Sequence, residues 1–273
     1  MRASKNWTGI GERLAVNEAS ARHVHDLAAG PCLPICLVLD DRRCMETALH
    51  QQLKRRYADS REQFEVPLGK YRIDAIAGDW LVEIQNGALS AIRDKVRALL
   101  RSHRVLVVKP LIVRKRLVKT EVKGGPVVER RLSPKRGSPL DIFHELVHFT
   151  GVFPHRRLAV ECPLIEIEEW RYPGHGRRRR WRPRDHEVED QRLLAVHETL
   201  RLERASDLLQ LLPADLPQPF DTQQLAAGLD VERWIAQRVA YCLRKTGAAK
   251  TVGKRGNAHL YQLTRPRRKR KAA

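Results

Sequence analysis

Residues 71–85, YRIDAIAGDWLVEIQ, hold two carboxylates and an amide that meet only if the chain reverses between them. Gly78-Asp79 reads as a two-residue turn with glycine first, as a II′ hairpin prefers. Pairing then runs Ala77 with Trp80, Ile76 with Leu81, Ala75 with Val82 and Asp74 with Glu83. Asp74 and Glu83 would face each other on one side of the sheet, with Gln85 two residues further on the same side. Carboxylates roughly 5 Å apart across a ladder repel. A shared Mg²⁺ or Mn²⁺ removes the conflict, because hard cations take carboxylate and carbonyl oxygens. Arg72, on the same face, removes it by simple pairing, and the residues alone leave both options open.

A second pattern is His144-Glu145-Leu146-Val147-His148, the HExxH spelling of a zinc metalloprotease helix. Ser138 as N-cap, Pro139 at the first helical position and Asp141 completing a capping box predict a helix that Gly151 ends. Two histidines four apart share a helical face, and Glu145 could act as general base. The longer metzincin motif requires its third histidine at 154, which is Pro154, and His155 is one residue out of step. Leu140, Phe143 and Val147 form the apolar stripe, with the two histidines at its edge. Zinc is therefore not expected.

The elements that must position the carboxylates can be read around them. Residues 42–58 place Met45, Leu49, Leu53 and Tyr57 on one helical face. Residues 62–87 read as strands, 88–103 as helix, and 104–113 (RVLVVKPLIV) as one buried strand. A further strand and a basic hairpin follow to about 134, and after the HELVH helix residues 157–172 are strand-like. Residues 173–185, with the arginine run 177–180, read as a solvated loop, and 191–202 fit helix or strand equally. Near the C-terminus, SDLLQLLP and DTQQLAAGL are short helices, DVERWIAQRVAYCLRKTG is a longer one, and residues 248–264 form a hairpin turning at 253–257. Two short helices, a basic third and a two-stranded wing predict a winged helix-turn-helix. Arg233, Arg238, Arg244 and Lys245 on its helix, with Lys250, Lys254 and Arg255 on its wing, would meet nucleic-acid phosphates.

The 273 residues carry 52 Lys+Arg against 32 Asp+Glu, a formal charge of +20 and a pI near 10.4. Such an excess attracts polyanions, nucleic acid first among them. Five scattered cysteines give no metal-binding spacing and no disulfide framework, which fits a reduced compartment. The apolar run at 32–39 is too short to span a membrane, so a cytoplasmic, nucleoid-associated protein is expected.

Helix, strand with Asp, strand with Glu-x-Gln, helix, strand: this order over residues 42–120 resembles the PD-(D/E)XK nuclease superfamily. It is most similar to bacterial members that add a C-terminal winged helix. The resemblance implies an α/β restriction-endonuclease-like core, a mixed sheet flanked by helices. It implies that Asp74, Glu83 and the Ile84 carbonyl hold Mg²⁺ or Mn²⁺, with Glu46 bound directly or through water. Gln85 stands where lysine is usual and would orient the attacking water; Lys95 and Arg97 could neutralise phosphate. Two departures are the absence of a proline before Asp74 and the missing lysine charge at 85. The expected domains are an extension at 1–43, a nuclease-like core at 44–135, a linking region at 136–204, a winged helix at 205–264 and a basic tail at 265–273. The expected function is a DNA-binding protein, a metal-dependent endonuclease or a non-catalytic relative with a vestigial core.

Overall fold

The computed structural model describes residues 46–58, 63–174 and 186–264. The expectations for 1–43, for the arginine run 177–180 and for the tail lie outside these residues.

The chain begins with helix Ala48–Tyr57 (α1), whose N-cap Thr47 accepts from the His50 N–H. Glu46 therefore stands just before the helix rather than in its first turn. Three strands follow: Phe64–Leu68 (β1), Tyr71–Ala77 (β2) and Trp80–Ile84 (β3). A 3-10 turn at Leu89–Ile92 leads into helix Arg93–Leu99 (α2), then strand Arg104–Val108 (β4) and strand Leu111–Thr120 (β5). Strand Val127–Leu132 (β6) closes a hairpin with β5.

β1, β2 and β3 are antiparallel in turn, and β3 runs parallel to β4. The later strand Leu158–Pro173 (β7) lies parallel to both β4 and β5. Val108 is opposite Glu161 and Leu111 opposite Leu164, an unchanged offset. Thus β4 and β5 run in line along one edge of β7, and the run expected as one strand breaks only at Lys109-Pro110. Proline has no N–H to give to a ladder, which accounts for the break. Strand His186–Leu202 (β8) pairs antiparallel along the other edge of β7, so the segment that fitted helix or strand equally is strand. Because β7 joins the same sheet as β3 to β5, the sheet crosses the boundary expected at residue 135.

Alternation along the central strands separates two apolar layers. On one side Leu49 and Leu53 of α1 pack with Val82, Ile84, Leu106 and Val108. On the other, Val105, Val107, Leu158 and Val160 are covered by Val96 and Leu99 of α2 and by Ile142, Phe143 and Leu146 of helix Ile142–Leu146 (α3). This is an α/β fold with a large mixed sheet flanked by helices. Truncating a fully buried leucine such as Leu53 to alanine costs about 2–5 kcal/mol.

The C-terminal segment joins the second layer. A 3-10 stretch at Ala205–Leu211 precedes helix Thr222–Leu229 (α4), helix Arg233–Thr246 (α5) and the hairpin of Ala249–Arg255 (β9) with Ala258–Leu263 (β10). α4 starts with a capping box between Asp221 and Gln224. α5 ends at Gly247, whose φ of +83° is the left-handed conformation that glycine adopts most easily. Leu225, Ala236, Val239 and Leu243 share one core with Phe143 and Leu146.

Candidate functional site

The β2–β3 hairpin adopts the predicted register for three pairs: Ala77 with Trp80, Ile76 with Leu81, and Ala75 with Val82. Gly78 takes φ +56°, as the turn requires. The ladder then stops one pair short of the expected Asp74–Glu83 match. The Ile84 N–H donates to the Asp74 carboxylate at 2.7 Å, so a side chain takes the place of the next backbone bond. Asp74 and Glu83 consequently belong to different sets of partners.

Asp74 faces α1. The His50 ring lies 3.7 Å from its carboxylate and the Lys54 ammonium 3.9 Å. Glu46 joins the same group, 3.1 Å from His50 and 2.5 Å from Lys54. Lys54, itself buried, also pairs with Glu65, which pairs in turn with Arg72. Glu65 sits at φ +54°, a left-handed conformation costly for a residue with a Cβ. Burial pushes the Asp74 pKa up, but the His50 hydrogen bond, the Ile84 N–H and the charges of His50 and Lys54 outweigh it and hold the carboxyl below its ordinary value.

Glu83 is almost fully buried, and Lys95 of α2 donates to it at 2.6 Å while also donating to the Arg72 carbonyl at 2.5 Å. Burial pushes its pKa up to about 7 against the pull of Lys95, with the nearby Asp74 charge adding to the rise. Its second oxygen, Oε1, is buried without a hydrogen-bond partner. Compensation for the carboxylates therefore comes from Lys54, His50 and Lys95. Arg72, the sequence's candidate for that task, is spent on Glu65. Lys95 is bound to Glu83 rather than free for phosphate, and Arg97 pairs with Asp94 at 2.9 Å.

Gln85 is turned away from both groups. Its side-chain amide donates to the Ala88 carbonyl at 3.0 Å, and its backbone N–H to Val108. The loop after it is pinned by Lys109, a buried lysine that donates to the Asn86 and Gly87 carbonyls at 3.2 and 2.5 Å. Burial lowers the Lys109 pKa, and Glu145 at 3.5 Å opposes that shift.

Among the described residues, no three His, Cys, Asp or Glu side chains come together as a ligand set for a metal ion. The hard-oxygen chemistry of Asp74 and Glu83 suits Mg²⁺ or Mn²⁺, but their arrangement does not, because ammonium groups hold the space and the charge. The fit fails on geometry rather than on donor type.

The HELVH residues are used structurally. Glu145 accepts from the Leu89 N–H at 2.8 Å, anchoring the turn before α2. His144 stacks on Trp234 of α5, ring centroids 5.4 Å apart, and its Nδ1 lies 2.6 Å from the Arg238 guanidinium. The capping box at Ser138 is present, but α3 ends at Leu146, so exposed His148 lies beyond the helix.

The seven cations named from the sequence are all exposed. Arg233, Arg244 and Lys245 lie along one side of α5 with half-buried Tyr241, over which the last two sit at 5.9 Å. Arg238 differs, being committed to His144 and lying 5.0 Å over the Trp234 ring. Lys250, Lys254 and Arg255 continue along β9, with Arg255 3.6 Å from Asp221. His50 and Lys54 are not singled out by the sequence, although their spacing of four and eight from Glu46 is a visible signal.

Comparison with known proteins decides the family. The model of the "Domain of unknown function (DUF8091)" matches residues 47–203. The chain belongs to the DUF8091 family. An "Uncharacterized protein" of Treponema pallidum (strain Nichols) is 30% identical over 226 residues, covering 82% of this chain and 87% of that protein. No solved structure matches. The DUF8091 segment ends one residue after β8, so it contains Asp74, Glu83, Gln85 and Lys95 and leaves α5 and β9 outside. Among the described residues no helix is long and apolar enough to cross a membrane.

Proposed function

We propose that the chain is a DNA-binding protein with a PD-(D/E)XK nuclease-like core and a C-terminal winged helix, and that the core acts as a scaffold rather than as a nuclease. The observation that carries DNA binding is the run of exposed cations on α5 and β9, Arg233, Arg244, Lys245, Lys250 and Lys254, without paired carboxylates among the described ion pairs. In a winged helix, α5 is the element that enters the major groove while the β9–β10 hairpin rides the backbone. A formal charge of +20 supplies long-range attraction, and a nucleoid location follows from it.

Support for a non-catalytic core comes from how its carboxylates are neutralised. Glu46, Asp74 and Glu83 are each held by Lys54, His50 or Lys95, and Gln85 points to Ala88. One observation favours the alternative, a Mg²⁺- or Mn²⁺-dependent endonuclease. The Glu83 Oε1 is buried without a partner, and Asp74, Glu83 and the Ile84 carbonyl are the donors such an ion would take if Lys95 gave way.

Fluorescence anisotropy with a labelled DNA duplex tests the binding claim. Affinity should fall steeply with salt, and the Arg244→Ala/Lys245→Ala variant should bind more weakly with a shallower salt slope. Binding by the variant indistinguishable from the unaltered chain would remove α5 from the interface. Nicking of plasmid in Mn²⁺ that disappears in Asp74→Ala/Glu83→Ala would establish the endonuclease instead.

A further inference from the structure

The β5–β6 hairpin forms, with β7 and β8, an arginine-lined groove apart from α5 and β9. Its cavity, about 440 Å³, is bordered by Arg114 and Arg116 of β5, Arg130 and Arg131 of β6, and the apolar Leu132 and Leu194. Each of these arginines has a solvent-facing side chain.

Their carboxylate partners are too few and too distant to satisfy them. Glu168, almost fully buried, accepts from Arg130 at 3.1 Å and from the Trp170 indole N–H at 3.0 Å. Arg116 lies 4.0 Å from that same carboxylate, at the edge of pairing distance. Glu166 is shared between Arg114 at 3.7 Å and His197 at 3.2 Å. Among the described residues Arg131 pairs only with the exposed Glu129, at 3.4 Å. A guanidinium carries five N–H donors in a planar fork. Four of them sharing three carboxylates leave most of those donors open to the groove. The neighbouring Trp170 ring carries two guanidiniums, Arg192 at 4.6 Å and Arg130 at 5.6 Å.

We propose that this groove is a second nucleic-acid contact, one that holds the phosphodiester backbone of the duplex whose bases face α5. The proposal rests on the reading of the chain as a DNA-binding protein. Planar forks match phosphate oxygens in pairs, which a lysine cannot do. Exposed Leu132 and Leu194 offer apolar surface to deoxyribose. The half-exposed arginines lie along a strand hairpin, an arrangement that follows a polymer rather than enclosing a small anion. Within the groove the roles divide. Arg130 is held by a buried carboxylate and supports the fold, whereas Arg114 and Arg116 are loosely paired and free to turn to phosphate.

The test is the Arg114→Gln/Arg116→Gln variant of the full chain, measured by anisotropy on labelled duplex DNA across a salt series. Two lost phosphate contacts should lower affinity on the order of tenfold at moderate salt and reduce the slope of log K against log[salt] by about 2. Thermal melting should be unchanged, since both ion pairs are long and both guanidiniums are half-exposed. If the double variant melts early, hydrogen exchange on the unaltered chain decides: DNA should protect amides of β5 and β6. An unaltered slope, or no protection there, overturns the second contact while the α5 reading stands. A chain that binds no duplex at all overturns both.

Discussion

At the head of β2 and β3, four carboxylates (Glu46, Glu65, Asp74 and Glu83) are gathered with Lys54, Arg72, Lys95 and His50 in a partly buried network. Along α5 and β9, most of the cations face solvent and enter no ion pair among the described residues. The first region is closed on itself; the second is open. Burial explains the difference. A charge removed from water must find its counter-charge within the fold, so the core carboxylates are met by whatever cations α1 and α2 bring. A surface cation bears no such demand and stays available to a partner. Residue types alone rank the carboxylates as the reactive centre, yet the geometry leaves the greater unmet charge on the C-terminal face.

The largest effect should come from the open region. Arg244→Ala/Lys245→Ala/Lys254→Ala removes three cations from α5 and β9, and duplex affinity should drop on the order of a hundredfold, with the salt slope falling by about 3. Its urea midpoint should barely move. A large shift in stability would mean that these cations, too, are spent within the fold.

In the closed region the main effects should be on stability. Lys95→Met strips Glu83 of the one cation bonded to it among the described residues, and urea denaturation at pH 8 should show a loss of about 3 kcal/mol. At pH 5 the loss should shrink, because Glu83 is then protonated. The carboxyl's pKa, about 7 when folded against 4.5 ordinarily, sets the sign. A raised carboxyl pKa makes the folded state hold its proton more tightly, so this group's contribution is greatest below about pH 4.5 and drains away as pH climbs to about 7. Glu83→Gln keeps the shape without the charge. It should be more stable than the unaltered chain by about 3 kcal/mol at pH 8, the raised pKa already counting the Lys95 bond, with no difference near pH 4. A stabilisation equal at both pH values would assign the effect to packing.

A smaller change tests the HELVH segment. Glu145→Gln keeps an acceptor for the Leu89 N–H but loses the charge facing Lys109, and should cost about 1 kcal/mol with no change in DNA affinity.

What could be read from sequence was local. The β2–β3 turn at Gly78-Asp79, the capping box at Ser138, and the succession of α4, α5 and the final hairpin all follow from patterns within a dozen residues. Tertiary choices were hidden. Asp74 was expected opposite Glu83 because a ladder was assumed to continue; its carboxylate instead took the Ile84 N–H, which alternation cannot foresee. Lys95 reaches Glu83 only because α2 packs against β4, the strand beside β3, and Glu145 meets Leu89 from 56 residues away. The residues from 191 to 202 fitted either helix or strand because their apolar spacing is mixed, and the open edge of β7 settled it. The break at Lys109-Pro110 could have been read from the proline alone.

The most direct test of the account is one gel. Supercoiled plasmid is incubated with the chain in Mn²⁺, then run both intact and after removal of protein. Retarded plasmid is expected in the first lane and unbroken supercoils in the second. Plasmid that runs free, or nicked circles that vanish when Asp74 and Glu83 are both replaced by alanine, would contradict it.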